Sequence, residues 1–348
     1  MNHPLTFGFC MPTFASPGPA LFRAPGWSEL VPGQLIGAAI AAEALGFDSI
    51  WVPDHYMIGA DHAVLDGWTT LAVIAGATRR ARLCLIQQST LFRHAPQFAK
   101  MVATLDQLSG GRLTVFSNLG RAEAEHRAYG FPWPSTFSDR LERHEEALEV
   151  LRTLWTAVGP VSHQGKYFTL RDAIGLPKPL QQPYPPLWFA GSESEVLELT
   201  ARIGSGWNTP PVSLQDFRRM HAALRDAVQA AGREISEFTV SLETQVLIRQ
   251  TIGELRETLR SLASWNPRSG TPRTAIIDLY EDPFMRGETD ILPAALTDRY
   301  LIGIPSQVRD QLSRYVEEGV NSFGCWFMDF PNPLSAEILS ELVGMTRP

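Results

Sequence analysis

Strand and helix signals alternate along the whole chain, and this alternation limits the folds that are open to it. The first strand signal is the apolar run at residues 5–11, and Pro32 then begins a helix that ends near Leu45, since proline is tolerated in a first helical turn. A second strand at 48–52 precedes a helix at 66–78. Continued to the C-terminus, the pattern gives about eight such pairs, which predicts an α/β fold of the TIM type, a (β/α)8 barrel.

An open, doubly wound sheet is the competing architecture. Such a sheet usually has fewer strands, and no Gly-x-Gly-x-x-Gly motif follows the first strand here. We therefore predict one barrel domain over residues 1–348. Two stretches interrupt the alternation: residues 161–183 predict a hairpin-like excursion, and residues 264–301 are rich in proline, glycine and charge. A long insertion of this kind is typical of a lid, here over the barrel mouth, and a solvated insertion without function is the alternative.

Composition argues against several classes of function. The chain has 348 residues and a net charge of −7, which argues against nucleic acid or an anionic membrane surface as the main partner. No run approaches the roughly 18 apolar residues of a membrane span. Cys10, Cys84 and Cys325 are widely spaced within apolar runs, as in a reduced cytoplasmic protein. The sequence lacks His-Glu-x-x-His, Cys-x-x-Cys and Gly-x-Ser-x-Gly motifs, so we predict no metal site and no hydrolase nucleophile.

The segment 46–55 holds the first candidate catalytic residues. Its apolar strand stops directly at Asp54 and His55, and the carboxyl ends of parallel strands are where α/β proteins carry out chemistry. Imidazole exchanges protons near neutral pH, so we predict that His55 is catalytic, with a surface loop histidine as the alternative. Asp54 would either fix the tautomer of His55 or accept hydrogen bonds from backbone amides.

Polar residues also end three further predicted strands. Gln87 and Gln88 follow the third strand, Asn118 and Arg121 end the fourth, and Ala190-Gly191-Ser192 ends the fifth. The Gly191-Ser192 turn leads into a helix, whose N-terminus attracts anions, so we predict a phosphate site there. The alternative is that Ser192 only caps the helix.

Several phrases, in a fixed order, resemble the bacterial luciferase-like flavin-dependent oxidoreductases. They are Leu-Gly-Phe-Asp-Ser-Ile-Trp with Asp54-His55, then residues 104–113, then Glu-Ala-Glu-His-Arg-Ala-Tyr-Gly at 123–130. Residues 190–208 and 301–308 complete the series. The resemblance covers most of the chain and implies a (β/α)8 barrel that binds reduced FMN, or the deazaflavin F420, at the C-terminal mouth.

The resemblance also implies roles for the strand-end residues. His55 aligns with a catalytic or flavin-proximal histidine, and Asp54 with an acidic neighbour. The third strand passes beneath the flavin ring and often carries a strained peptide there; Gln87 and Gln88 replace small residues and would contact either the flavin or the substrate.

Asn118 and Arg121 likewise replace permissive positions of the family. Arg121 would be either an anion-binding residue, for a phosphate or for a substrate carboxylate or sulfonate, or the salt-bridge partner of Glu123 or Glu125.

Three functions follow from this resemblance. The first is a two-component monooxygenase, in which a separate flavin reductase supplies reduced FMN and O2 oxygenates a small organic substrate. The second is an F420-dependent hydride-transfer enzyme. The third is a non-catalytic flavin-binding barrel. We expect a homo-oligomer, a dimer or a tetramer.

Overall fold

A closed barrel of eight parallel strands forms the centre of the computed structural model, which describes residues 4–18, 21–264 and 282–345. The strands, in chain order, are β1 (Thr6–Cys10), β2 (Ser49–Pro53), β3 (Arg82–Ile86), β4 (Gln88–Ser89), β5 (Leu113–Asn118), β6 (Val161–Gln164), β7 (Thr169–Ala173), β8 (Leu187–Ala190), β9 (Gly206–Thr209), β10 (Thr239–Ile248), β11 (Leu301–Gly303) and β12 (Ser322–Phe327). The barrel runs β1-β2-β3-β5-β8-β9-β10-β12 and closes where β12 pairs with β1.

Helices follow the barrel strands and cover the outside of the barrel. They are α1 (Pro32–Ala44), α2 (Gly67–Ala77), α3 (Ala95–Ser109), α4 (Glu123–Ala128), α5 (Phe137–Thr156), α6 (Ser194–Ile203), α7 (Leu214–Ala230), α8 (Ile252–Ser264), α9 (Pro283–Arg286), α10 (Ala294–Thr297), α11 (Pro305–Glu317) and α12 (Leu334–Leu342). Within the described ranges, no helix combines the length and the apolarity needed to cross a membrane.

The barrel strands are buried on both faces, which explains why their sequences are nearly continuous apolar runs. Cys10, Trp51 and Cys84 are register partners on neighbouring strands and pack together inside the barrel with Phe116 and Trp326. The alternate residues of the same strands face the helices and belong to a larger apolar cluster. The register of the strands therefore determines which side chains face the barrel interior. The ends of the strands form a ring around that interior.

The predicted barrel is confirmed, and an antiparallel hairpin of β6 and β7 confirms the excursion at 161–183. Two short strands were not predicted: β4, which pairs with β5, and β11, which pairs with β10. Both have three residues or fewer, too few to show a period of two.

The insertion predicted at 264–301 lies partly outside the described residues, since 265–281 are not included. Its described part contains α9 and α10, and Phe284 and Leu296 pack in one cluster with Leu255 and Leu259 of α8. The role of a lid remains a prediction.

Candidate active site

The predicted site residues follow the C-terminal ends of barrel strands. Asp54 and His55 come directly after β2, Gln87 after β3, and Asn118 is the last residue of β5. Ala190 is the last residue of β8. Because these strands are parallel, their ends lie on one side of the barrel, which we call the mouth.

His55 is held by a buried carboxylate. Its Nδ1 lies 3.0 Å from Oε2 of Glu125, whose side chain is 2% exposed, whereas the side chain of His55 is 28% exposed. Glu125 also accepts hydrogen bonds from the backbone amides of Met57, at 2.8 Å, and Tyr56. The Nδ1 side of the ring is thus occupied, and Nε2 is the nitrogen that can meet a ligand.

The charge of Glu125 is secured by these contacts. Burial by itself would raise the pKa of Glu125, but the hydrogen bond and charge of His55 and the two backbone amides outweigh it, so the pKa lies below its usual value. A carboxylate that stays ionised favours a proton on Nδ1 of His55 and stabilises an imidazolium. Sequence reasoning considered Glu125 only as a partner of Arg121, because His55 lies 70 positions away in the chain.

Asp54 does not orient His55. Its two carboxylate oxygens accept a bidentate pair of hydrogen bonds from the guanidinium of Arg93, at 2.6 and 2.8 Å, and both side chains are buried. This corrects both predicted uses of Asp54, the tautomer of His55 and the backbone amides. The geometry is that of a structural ion pair, which joins the end of β2 to the residues that precede α3.

Gln87 lies between β3 and β4 and has a left-handed backbone conformation, with φ 56°. This conformation costs energy for a residue other than glycine, and it lies where the resemblance implies a strained peptide. The side-chain amide of Asn118 donates to the Gln87 carbonyl at 2.6 Å. The Arg121 guanidinium donates to the Gln87 side-chain oxygen at 3.4 Å. Gln87, Asn118 and Arg121 are therefore brought together at the mouth.

Gln88 is not brought to the mouth with them. It is the register partner of Ser117, which directly follows Phe116, a residue of the inner cluster. Successive strand residues point to opposite faces, so the buried side chain of Gln88 points towards the helices. Of the two glutamines, Gln87 is thus the one at the mouth, and a contact of either with a flavin stays a prediction.

The turn after β8 offers backbone groups to an anion. The Gly191 carbonyl accepts from Nε1 of Trp207 at 2.9 Å, and the amide of Ser192 donates to Oε2 of Glu193 at 3.0 Å. Gly191 has φ 142°, and a Cβ there would lie 2.7 Å from that same carboxylate oxygen. Glu193, not Ser192, is the N-cap of α6, which argues against the alternative that Ser192 serves as the cap. Ala190 packs against the inner cluster.

A buried ion pair at the mouth was missed by the sequence reasoning. Arg23, in the segment after β1, pairs with the fully buried Glu243 of β10. Glu243 also accepts from Nε1 of Trp326 at 2.8 Å, and the Arg23 guanidinium lies 4.8 Å from the ring centre of that tryptophan. The signal was present: residues 239, 241, 243 and 245 are polar at alternate positions of a strand, which marks a polar inner face.

In the described part of the chain, no group of three or more His, Cys, Asp or Glu side chains is placed to hold a metal ion. Three pairs join charged or titratable groups at the mouth: His55 with Glu125, Arg93 with Asp54, and Arg23 with Glu243.

Curated relatives match the chain over most of their length. An F420-dependent glucose-6-phosphate dehydrogenase of Amycolatopsis mediterranei is 25% identical over 298 residues, which cover 83% of this chain and 87% of the relative. A phthiodiolone/phenolphthiodiolone dimycocerosates ketoreductase of Mycobacterium kansasii is 26% identical over 333 residues, which cover 86% and 89%.

Solved structures share the fold at lower identity. An EDTA monooxygenase from Chelativorans has a TM-score of 0.77 at 21% identity and covers 98% of this chain and 92% of that one. An F420-dependent secondary alcohol dehydrogenase has a TM-score of 0.73 at 21% identity, with 99% and 100% covered.

The family match confirms the resemblance seen in the sequence. The luciferase-like monooxygenase family model matches residues 6–322. This range includes every barrel strand described above, although the last only at its first residue, and all the candidate site residues. The chain is therefore an oxidoreductase that belongs to the luciferase-like monooxygenase family, whose members use a flavin or F420.

Proposed function

We propose that this oxidoreductase transfers a hydride between F420, bound at the mouth, and a small alcohol or carbonyl substrate. The observation that carries the proposal is the pairing of His55 with Glu125, because hydride transfer at a carbinol carbon requires a partner that takes the hydroxyl proton. The F420-dependent relative, aligned over 83% of this chain, supports the choice of cofactor.

The residues at the mouth fit a flat cofactor with an anionic tail. The turn at Gly191 and Ser192 already receives an anion, the carboxylate of the exposed Glu193, so the same amide could receive a phosphate oxygen once Glu193 turns away. The left-handed Gln87 and its partner Asn118 would support the ring. F420, when bound, supplies the carbon that accepts or donates the hydride.

His55 would move the proton of the reaction. With Nδ1 donating to Glu125, its Nε2 can accept the hydroxyl proton as the alcohol is oxidised, and the ionised Glu125 stabilises the resulting imidazolium. In the opposite direction the imidazolium returns the proton to the carbonyl oxygen. A positioned acid or base of this kind contributes about two to four orders of magnitude to a rate.

A two-component monooxygenase is the second candidate, favoured by the family model itself. It would bind reduced FMN from a separate reductase at the same mouth and use O2. A pair such as His55 and Glu125 is compatible with this chemistry but less necessary for it, since no hydroxyl proton must leave before oxygen is inserted.

Parallel titrations test the proposal. Purified protein is titrated with F420 and with reduced FMN under anaerobic conditions, and the bound form is then mixed with a panel of primary and secondary alcohols. We expect micromolar-order binding of F420 and an alcohol-dependent loss of its absorbance. Formation of an oxygenated product with reduced FMN and O2, without binding of F420, would instead establish the monooxygenase. If either cofactor binds but no substrate of a broad panel is turned over, a non-catalytic flavin-binding barrel would be favoured.

A further inference from the structure

Arg121 is the charged residue at the mouth that remains without an opposite charge. Among the described residues it forms no ion pair, and its guanidinium is exposed at the end of the loop that follows β5. Two other arginines there, Arg23 and Arg93, are each bound to a buried carboxylate. Arg121 differs from these two because no carboxylate pairs with it within the described part of the chain.

Both carboxylates that could have neutralised Arg121 are engaged elsewhere. Glu123 accepts from Nε of Arg127 at 2.7 Å in an exposed pair. Glu125 is buried against His55 and the amides of residues 56 and 57. Neither residue therefore forms the surface salt bridge that was one of the two roles predicted for Arg121. The other predicted role, anion binding, is the one that the contacts allow.

A contact with Gln87 prepares Arg121 for a ligand. Gln87 accepts from its Nη1 at 3.4 Å, and the left-handed backbone of Gln87 holds that side chain at the mouth. Burial, together with the charge of Arg121, lowers the pKa of Arg23 to about 10. The charge of Arg23 is already balanced by Glu243, so Arg121 is the arginine of the two that can meet an anion.

We propose that Arg121 binds an anionic group of the substrate, a carboxylate, phosphate or sulfonate. The planar guanidinium offers a bidentate fork for such groups. This inference rests on the proposed function for its assignment to a substrate, while the anion site itself stands on the charges described above. The cofactor's own phosphate has a separate candidate site at the Gly191 turn.

Inorganic phosphate is the probe that tests the site. Calorimetric titrations at low ionic strength, which limits screening, are carried out on the wild-type protein with and without saturating F420. The variants are Arg121→Ala, Arg121→Lys and, as the matched control, Arg127→Ala, which removes an exposed arginine from the adjacent helix. Circular dichroism checks that each variant is folded.

We expect phosphate to bind the wild type in both states. Arg121→Ala should weaken binding at least about tenfold, which corresponds to the loss of a charge-assisted hydrogen bond. Arg121→Lys should weaken it less, because the charge remains but the fork is lost. Arg127→Ala should bind like the wild type.

The outcomes separate the two sources of the anion. Phosphate binding that depends on Arg121 but disappears when F420 saturates the protein would assign the site to the cofactor, and would overturn the assignment to the substrate. Equal binding by the wild type and Arg121→Ala would overturn the site altogether. If F420 does not bind at all, the proposed function fails, but the titration of the cofactor-free protein still decides the role of Arg121.

Discussion

At the scale of single residues, His55 is the candidate proton-transferring group at the barrel mouth. Its ring is fixed on one side by Glu125 and is partly open on the other, which is the arrangement that a proton-transferring group needs. Replacing His55 by alanine removes that group without opening the core. We expect His55→Ala to lower kcat by about two to four orders of magnitude, with cofactor affinity and thermal stability close to the wild type.

Steady-state turnover with the best alcohol found, together with an F420 or FMN titration of the same preparation, checks this expectation. A variant that keeps near wild-type turnover would show that His55 is not the proton-transferring group.

Glu125 should act through His55, and its neighbour Glu123 offers a matched control. Glu125→Gln retains the size of the side chain but removes the charge that supports an imidazolium, so kcat should fall by about 10- to 100-fold, the value of a hydrogen bond to a charged group. Glu123 lies two positions earlier in the same helix and forms only an exposed pair with Arg127. Glu123→Gln should leave kcat within about twofold, because exposed pairs contribute little. Similar losses in both variants would mean that the effect belongs to the helix and not to His55.

The individual partners at the site were harder to predict than the site itself. Strand ends identified His55, Gln87, Asn118 and Arg121, since chemistry at the mouth follows from parallel strands. The contact partners of residues at the mouth were not visible in the sequence. Asp54 and Arg93, for example, form a contact although they lie 39 positions apart. The sequence has no local pattern that records such a contact.

At the scale of secondary structure, β10 shows what the polar inner face contributes. Gln245 accepts from the backbone amide of Arg23 at 3.2 Å, and Glu243 pairs with the Arg23 side chain, so this strand holds Arg23 by both its backbone and its side chain. Arg23 has a left-handed backbone, at φ 60°, a conformation that persists only where surrounding contacts impose it. The conformation of Arg23 therefore depends on β10.

Removing one partner of this pair should be costly. Arg23→Met leaves the carboxylate of Glu243 buried without its countercharge, and we expect it to reduce the free energy of unfolding by about 3–5 kcal/mol. The double variant Arg23→Met/Glu243→Gln removes both charges and should recover a large part of that loss. Urea denaturation of the three proteins measures the difference. A double variant that is no more stable than the single one would mean that the loss does not come from the uncompensated charge.

Elements were predicted well where they are long and poorly where they are short. The barrel strands and the helices between them repeat a pattern that burial on two faces imposes on every unit. The strands β4 and β11 depend on pairing with a neighbour and not on their own few residues. The polar alternation of β10 was visible in the sequence but was read only as a strand.

At the scale of the whole molecule, the buried histidines link folding to pH. His144 of α5 is buried and bonded through Nδ1 to the hydroxyl of Thr90 at 2.9 Å. Burial lowers the pKa of His144 from 6.5 to about 3, so the folded protein keeps this ring neutral where the unfolded chain takes up a proton. Protons then favour the unfolded state, and stability must fall as the pH drops below 6.5 and continue to fall until about 3.

A matched pair of variants isolates this effect. Carboxylates whose pKa is lowered in the fold, such as Glu125, lose their stabilising charge only below the ordinary value of 4.5. Between pH 6.5 and 5 the contribution of His144 should amount to roughly 2 kcal/mol, at about 1.4 kcal/mol per pH unit.

His144→Gln can keep a hydrogen bond to Thr90 but cannot be protonated. Urea titrations at pH 7 and 5 should therefore show a smaller loss of stability in His144→Gln than in the wild type, by about that amount. His94→Gln, which replaces an exposed histidine, should show the wild-type loss. His126 and His221, whose pKa values burial also lowers, are present in all three proteins and do not affect the difference. An equal pH dependence in all three proteins would therefore mean that His144 does not stay neutral in the fold.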